Sequence, residues 1–149
     1  MWNQLDGLTG LLSQKSYLNR TLKLQPEDKM LIVFDLDNFK YINDTYGHQA
    51  GDQCLKVIAE CLKKAYSRYG NCYRIGGDEF CVLFREPKKE KYCREKFYWI
   101  IEKRKKSLHM LPGASYGSAL IEEQESISDT KARADANMYA NKKARKQAR

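Results

Sequence analysis

The chain has 149 residues, with 27 Lys and Arg against 19 Asp and Glu, for a formal net charge of +8. Its 42% hydrophobic and 31% charged residues suffice for one core of ordinary size, which favours a single folded domain over residues 1–149 and disfavours disorder. The longest apolar run, residues 30–34, is far shorter than the roughly 20 residues that cross a bilayer. The sequence therefore predicts no transmembrane helix.

The first half of the chain predicts a helix, a strand and a second helix. Residues 11–24 carry apolar side chains at helical spacing, and Ser13 can cap the helix start. The branched apolar residues 30–34 predict a buried central strand. The clearest helical pattern begins near residues 51–52 and continues to Ala65.

The second half predicts a β-hairpin, a helix, a strand and a final helix. Residues 72–75 and 80–84 flank a glycine turn, Pro87 can start a helix, residues 114–121 alternate as a strand, and an Ala-rich helix begins near Ser126. After the first helix this order is βαββαβ with a terminal helix, which predicts an α+β, ferredoxin-like layout with helices on one side of an antiparallel sheet.

The positive charge is concentrated in two segments. Residues 85–106 carry ten basic and four acidic side chains, and residues 131–149 carry seven and one, so the remaining chain has a net charge of −4. This distribution fits nucleic-acid binding, attraction of a small polyphosphate, or solvated helix faces. Charge alone slightly favours the solvated faces.

The cysteines and the N-terminus indicate a reducing compartment. Five cysteines without a CxxC pair predict reduced, mostly buried thiols, and a zinc site is disfavoured. No basic stretch followed by an apolar stretch opens the sequence, so no secretory signal is visible. We therefore expect a cytoplasmic location.

Acidic side chains lie at the ends of two predicted strands. Asp35 and Asp37 follow the strand at residues 30–34 and, at the period of two of a strand, point to the same side. Asp78 and Glu79 lie at the tip of the hairpin. Either pair alone is typical of an exposed turn, but two pairs on neighbouring strands fit Mg²⁺, which prefers carboxylate oxygens and substrate phosphates. Metal-assisted phosphoryl transfer is therefore the leading hypothesis.

Several motifs of other enzyme classes are missing. The sequence has no GxxxxGK phosphate loop, and no Ser/His/Asp or Cys/His set stands out. P-loop ATPases and triad hydrolases are therefore disfavoured. A basic RNA- or DNA-binding domain stays open as an alternative because two helices are lysine-rich, although no binding motif is recognisable.

Four segments carry a family resemblance. Residues 74–80 read RIGGDEF, residues 34–48 read FDLDNFKYINDTYGH, residues 6–11 read DGLTGL, and residues 134–142 read ADANMYANK. Together they resemble the GGDEF family of diguanylate cyclases over essentially the whole chain. The resemblance implies a palm, or nucleotide-cyclase-like, core carrying the GGDEF hairpin. It also implies bacterial second-messenger signalling by condensation of two GTP into cyclic di-GMP and two pyrophosphates.

The resemblance implies a role for each matching residue. Mg²⁺ or Mn²⁺ would be held by Asp35, the main-chain carbonyl of Leu36, and Asp78. The residues expected to act in catalysis are Lys40, Asp78 and Glu79. The residues expected to bind phosphates are Asn38, Phe39, Lys40, Lys142 and Lys146. Asn43 and Asp52 would read the guanine edge, and Asp52 could also serve as a helix N-cap.

The chain departs from the family pattern at three places. The closing KxxGR motif reads KKARK over residues 142–146, which keeps positive charge but alters the arginine geometry. Ser13-Gln14 replaces the Asn-Arg pair common in the opening motif. The RxxD product-inhibition site corresponds to Ser-Arg-Tyr-Gly at residues 67–70, so we expect no inhibition by cyclic di-GMP there.

The resemblance also implies partners. GTP is the expected substrate, and the reaction needs a transient antiparallel homodimer in which two GTP molecules face one another. Because no sensor, receiver or coiled coil precedes Asp6, we expect either an excised output domain, such as the cytoplasmic output domain of a larger, membrane-tethered protein, or a domain that depends on further sequence for dimerisation. We expect no nucleic-acid partner and no direct membrane insertion. The alternative function is a catalytically silent module that binds GTP.

Overall fold

A four-stranded antiparallel sheet forms the centre of the molecule, in a computed structural model that describes residues 4–148. The strands are β1 (Met30–Leu36), β2 (Gly70–Arg74), β3 (Glu79–Phe84) and β4 (Ala114–Leu120), and their order in the sheet is β2-β3-β1-β4. The most apolar segment, β1, pairs with β3 on one side and β4 on the other. This order confirms the ferredoxin-like class.

In the described part of the chain, five α-helices cover both faces of the sheet. They are α1 (Gln14–Thr21), α2 (Phe39–Tyr46), α3 (His48–Tyr66), α4 (Glu90–Arg104) and α5 (Ile127–Gln147). Residues of α3 and α4 pack on the face of Phe34 and Phe80, while residues of α1 and α5 pack on the face of Val33 and Cys81. The expectation of helices on one side is therefore corrected, because the two terminal helices cover the opposite face.

Aromatic rings fill the core beneath α3 and α4. Phe34 of β1 makes edge-on contacts with Tyr66 and Phe97, at centroid distances of 5.4 and 5.1 Å. Alternation along β1 directs Phe34 into this core and its neighbours Val33 and Asp35 to the opposite face. The strand thereby combines a packed core with a polar end.

All five cysteines are buried and none forms a disulfide, as predicted. Four lie in the core between the sheet and α3 and α4, and Cys81 packs on the α1 and α5 side. Burial raises the pKa of the Cys54 thiol to about 11 and that of Cys72 to about 12. These thiols therefore serve as small apolar core residues.

The helix starts partly follow the predictions. Ser13 Oγ accepts a hydrogen bond from the Ser16 N–H at 3.1 Å, which confirms the predicted cap. Ser126 Oγ accepts one from the Asp129 N–H at 3.1 Å, so the helix predicted to begin near Ser126 is capped by that residue. A 3₁₀ turn, Pro87–Lys89, precedes α4. The helix predicted from residues 51–52 is α3, which begins earlier, at His48, so Asp52 lies inside α3 and is not its N-cap. The helix α2 was not predicted.

A close approach of α5 to β4 fixes the final helix on the sheet. A Cβ added to Gly117 would lie 2.7 Å from Met138 Cα and still closer to the backbone of Ala134. Glycine is therefore required for this contact. Within residues 4–148 no helix is both long and apolar enough to span a bilayer.

Candidate active site

Two acidic segments meet at one end of β1. Asp35 lies opposite Glu79 in the antiparallel β1–β3 pairing, and the Leu36 N–H donates a hydrogen bond to the Asp78 carbonyl at 3.3 Å. Asp37 follows β1, and its N–H donates to the Gly113 carbonyl at 3.0 Å. The strand register therefore brings together the two acidic pairs that the sequence places more than 40 residues apart.

Asp35 and Asp78 influence each other electrostatically. Burial, followed by the hydrogen bond and negative charge of Asp35, raises the pKa of Asp78 to about 6, while Lys142 opposes this shift. Asp35 Oδ2 accepts a hydrogen bond from Lys142 Nζ at 2.8 Å. Asp35 Oδ1 is buried and has no hydrogen-bond partner among residues 4–148. Two crowded carboxylates with an unsatisfied oxygen form a site that attracts cations.

The donor set fits a hard divalent cation. Asp35 and Asp78 supply carboxylates, and Leu36, which directly follows Asp35, supplies a main-chain carbonyl. In the described part of the chain, no three His, Cys, Asp or Glu side chains group into a metal cluster. Mg²⁺ characteristically uses one or two carboxylates and completes its shell with water and substrate phosphates. The unsatisfied Asp35 oxygen is therefore consistent with such an ion.

Glu79 forms an ion pair with Lys131, a residue that the motifs do not include. Lys131 Nζ lies 3.6 Å from Glu79 Oε2 and 2.8 Å from Asp135 Oδ2. Burial raises the pKa of Glu79, and the Lys131 ammonium partly offsets that effect. The i,i+4 spacing of Lys131 and Asp135 is a sequence signal for their pairing, but nothing in the sequence points to Glu79 as a third member.

The turn between β1 and α2 presents backbone N–H groups. Asn38 adopts a left-handed conformation, with φ 55° and ψ 37°, and α2 begins at the next residue, Phe39. The first N–H groups of a helix lack partners within it and attract anions. Lys40 is exposed on the first turn and pairs with Asp44 at 2.9 Å, an exchangeable surface contact. Asn38, Phe39 and Lys40 thus lie beside the acidic cluster along the chain.

The predicted guanine-reading residues lie at the α2–α3 junction. The Asn43 side chain lies over Gly51, where an added Cβ would be 3.0 Å from Asn43 Cγ and closer still to Oδ1. Asp52, the next residue of α3, is exposed. The junction therefore leaves a carboxylate and an amide near one another at the surface, as reading a base edge requires.

The last turns of α5 supply cations to the β1 end. The Arg145 guanidinium bonds Asp37 Oδ2 through Nε at 3.0 Å and stacks over the Tyr98 ring at 5.3 Å. Asp37, which is 4% exposed, also accepts a hydrogen bond from Ser115 Oγ at 2.6 Å. Lys146 is exposed, so its phosphate role stays a prediction.

A cleft of about 330 Å³ opens beside the turn between β1 and α2. Lys105 and Arg145 are its cationic lining groups, and Asp37 is its acidic one. The remaining lining residues are Asn38, Tyr41, Ile42, Leu111, Pro112 and Gly113. The cleft therefore extends the polar surface of the site toward α4.

The opening motif is tied to the hairpin turn through an arginine. Asp6 accepts hydrogen bonds from the Thr9 N–H and hydroxyl, both at 2.8 Å, and pairs with Arg74 at 3.2 Å. Arg74 also donates to the carbonyls of Gly76 and Gly77 at 3.1 and 2.8 Å. These bonds hold the turn that carries Asp78.

The positions that correspond to the family's RxxD product-inhibition site lie at and just after the end of α3. The Arg68 guanidinium stacks over the neighbouring Tyr69 ring, 5.4 Å from its centroid. The Arg68 carbonyl accepts a hydrogen bond from Arg85 at 3.3 Å. The absence of product inhibition through this segment stays a prediction.

Comparison with known proteins agrees with this arrangement. Residues 3–148 match the family described as diguanylate cyclase, GGDEF domain. The chain is 32% identical to a probable diguanylate cyclase of Escherichia coli K12, DgcJ, over 94% of this chain and 29% of DgcJ. It is 34% identical to DgcI of the same organism, over 93% of this chain and 31% of DgcI. The chain thus spans under a third of the length of these relatives.

A solved structure has the same architecture. The GGDEF domain of DgcB from Caulobacter crescentus, determined in complex with c-di-GMP, superposes with a TM-score of 0.80 at 30% identity, covering 95% of this chain and 91% of that one. Sequence and fold therefore agree over nearly the entire chain, and the predicted resemblance is confirmed. The chain belongs to the GGDEF diguanylate cyclase family.

Proposed function

We propose that this chain is a catalytic domain that condenses two GTP molecules into cyclic di-GMP and two pyrophosphates. The observation that carries the proposal is the meeting of Asp35 and Asp78 at the β1 end, with Lys142 at 2.8 Å from Asp35. A carboxylate pair, a cation and the start of α2 at one end of a sheet suit metal-assisted transfer between nucleotides.

Asp35, Asp78 and the Leu36 carbonyl would hold Mg²⁺ or Mn²⁺. Such an ion, when bound, neutralises negative charge on the reacting and leaving phosphates. The N–H groups of Asn38, Phe39 and Lys40 would orient the phosphate chain at the α2 start. Lys142 and the Lys40 ammonium would add positive charge, because both side chains are long enough to exchange their present acidic partners for phosphate.

Glu79 is the proposed proton acceptor. In each transfer, the ribose 3′-oxygen of one GTP forms a bond to the α-phosphorus of the other, and the bond from that phosphorus to pyrophosphate breaks. The proton of the 3′-hydroxyl passes to the Glu79 carboxylate. Lys131 keeps this carboxylate oriented beside the turn of the hairpin.

Asn43 and Asp52 would select guanine. A carboxylate accepts hydrogen bonds from guanine N1–H and N2–H₂, which adenine does not present in that arrangement. Both residues lie at the α2–α3 junction. Asp52 is exposed there and does not cap α3. GTP is therefore the proposed substrate in preference to ATP.

The reaction requires two such domains. Each GTP must present its 3′-hydroxyl to the α-phosphate of the other, so the proposed active species is a transient antiparallel homodimer. The longer relatives make an additional sensor or receiver segment a reasonable partner, and we propose that the domain works in the cytoplasm.

A silent GTP-binding module is the second candidate. The observation that favours it is the Arg145–Asp37 pair, because Arg145 stands where the family has glycine in its closing motif. The Arg145 guanidinium, held by Asp37, would leave less space for the phosphates of GTP at this end of the site. Binding could then be retained while the geometry for turnover is lost.

Incubation with GTP and Mg²⁺, followed by mass detection of cyclic di-GMP, tests the proposal. Product is expected from the wild-type chain, or from the chain fused to a dimerising segment, and none from Asp35→Asn. Absence of product from the fused chain, with a GTP-dependent rise in Tm, would favour the silent module. Salt-sensitive RNA binding without any GTP-dependent rise would instead favour the nucleic-acid alternative.

A further inference from the structure

Lys142 and Asp35 form an ion pair at the centre of the proposed cation site. Lys142 Nζ donates to Asp35 Oδ2 at 2.8 Å, although the residues are 107 positions apart. The lysine side chain is 41% exposed and that of Asp35 is 20% exposed. The ammonium can therefore swing toward solvent, while the carboxylate is fixed at the end of β1.

The neighbouring cations have other acidic partners. Arg145 pairs with Asp37 at 2.9 Å, and Lys131 pairs with Asp135 at 2.8 Å. Among the ion pairs in residues 4–148, Lys142 is the cation against Asp35. It offsets the repulsion between the Asp35 and Asp78 carboxylates, which would otherwise oppose each other in a partly buried place.

A divalent cation at the unsatisfied Asp35 Oδ1 would lie beside the Lys142 ammonium, which occupies Oδ2 of the same carboxylate, and the two positive charges would repel each other. Binding of a cation at Asp35 therefore favours displacement of Lys142 from Oδ2. The displaced ammonium needs a new anionic partner, and the phosphate chain of a bound nucleotide supplies one within reach of a flexible lysine. Without that partner, displacement leaves the ammonium with water alone.

We propose that Lys142 makes cation binding at Asp35 conditional on the nucleotide. The lysine competes with the divalent cation for Asp35, and a bound triphosphate removes the competition by drawing the ammonium away. Cation and nucleotide then bind with positive coupling, each strengthening the other. The inference rests on the proposed function for the identity of the nucleotide, but the competition itself concerns only Lys142, Asp35 and the cation.

Binding of Mn²⁺ to the nucleotide-free chain, followed by electron paramagnetic resonance of the free ion, tests the competition. Lys142→Met is expected to lower the Kd for Mn²⁺ about tenfold, within the usual range of coupling between sites. Lys143→Met is the matched control, because Lys143 is exposed and contacts the Tyr139 ring. Its Kd should stay within about twofold of wild type, and Asp35→Asn should lose the site.

A second titration uses a non-hydrolysable GTP analogue. The analogue should tighten Mn²⁺ binding about tenfold in wild type and much less in Lys142→Met, because the competitor is already gone. Lys142→Arg keeps the positive charge and should bind Mn²⁺ alone as weakly as wild type. This conservative variant separates charge competition from a change in folding.

Equal or weaker Mn²⁺ binding by Lys142→Met, with circular dichroism unchanged, would overturn the proposal. Unchanged Mn²⁺ binding by Asp35→Asn would overturn it as well, by locating the ion elsewhere. The outcome is independent of turnover. Tighter Mn²⁺ binding by Lys142→Met, together with no cyclic di-GMP from the wild-type chain fused to a dimerising segment, would support the competition and refute the cyclase activity.

Discussion

Replacing Gly51 with alanine introduces a methyl group where the Asn43 side chain lies. The added Cβ would be 3.0 Å from Asn43 Cγ, inside van der Waals contact with Oδ1, and 3.3 Å from Phe39 Cζ. The Asn43 amide is the end of a flexible side chain, so we expect it to rotate while the α2 and α3 backbones stay in place. Gly51→Ala therefore disturbs the proposed contact between Asn43 and guanine, although Gly51 itself has no side chain that could bind the base.

The size of the effect follows from one neutral hydrogen bond. Such a bond contributes about 1 kcal/mol, so loss of the Asn43 contact should raise the Kd for GTP about fivefold. Overpacking costs about 1–3 kcal/mol, but alanine is about 1 kcal/mol better than glycine inside a helix. Gly51→Ala should therefore lower the Tm only slightly while weakening GTP binding.

Isothermal titration with a non-hydrolysable GTP analogue and Mg²⁺ measures this effect, and a double-mutant cycle isolates its cause. Asn43→Ala alone should weaken binding by a similar factor, and the double variant Asn43→Ala/Gly51→Ala should bind no worse than Asn43→Ala. Losses that add in the double variant would refute the reasoning. Unchanged GTP binding by Gly51→Ala would also refute it.

Three further substitutions test the scaffold of the site. Gly117→Ala should lower the free energy of unfolding by about 1–3 kcal/mol in urea denaturation, because its Cβ would meet α5 backbone at 2.7 Å; wild-type stability would contradict this. Arg145→Met should cost about 2 kcal/mol by removing the guanidinium partner of the buried Asp37 carboxylate, whereas exposed Lys146→Met should cost under about 0.5 kcal/mol in the same assay; equal losses would contradict the assignment. The raised pKa of Asp78, about 6, lies above the ordinary 3.8, so its ionisation opposes folding as the pH rises through that interval. Without divalent cations, Asp78→Asn should therefore be about 1 kcal/mol more stable than wild type near pH 7, after allowance for partial exposure, with a smaller difference near pH 4; a pH-independent difference would contradict this.

The strands could be predicted because their signals are local. The apolar run of β1 and the glycine turn of the hairpin identify the central strands without knowledge of their partners. The helix α2 could not be predicted in this way, since Ile42 alone among its eight residues is buried. Its start after the left-handed Asn38 depends on the packing of the turn rather than on an apolar stripe.

The acidic positions of the site could be predicted from the motifs, but the pairing of the cations could not. The Lys142–Asp35 and Arg145–Asp37 contacts join residues 107 and 108 positions apart. Motif spacing selects Lys146 for the phosphates, whereas Arg145 is rotated about 100° from it around the helix and contacts Asp37. Which residue of α5 contacts β1 is decided by the docking of the whole helix.

The reactivity of the buried thiols can report local opening of the fold. Cys81 of β3 lies in the core between the sheet and α1 and α5, while Cys54, Cys61, Cys72 and Cys93 lie in the core between the sheet and α3 and α4. A thiol reagent in excess reaches each of them only when the covering elements separate from the sheet. When reclosing is fast compared with labelling, the labelling rate measures the free energy of that separation. Opening on the two faces of the sheet can therefore be followed separately with the natural cysteines, without introducing new ones.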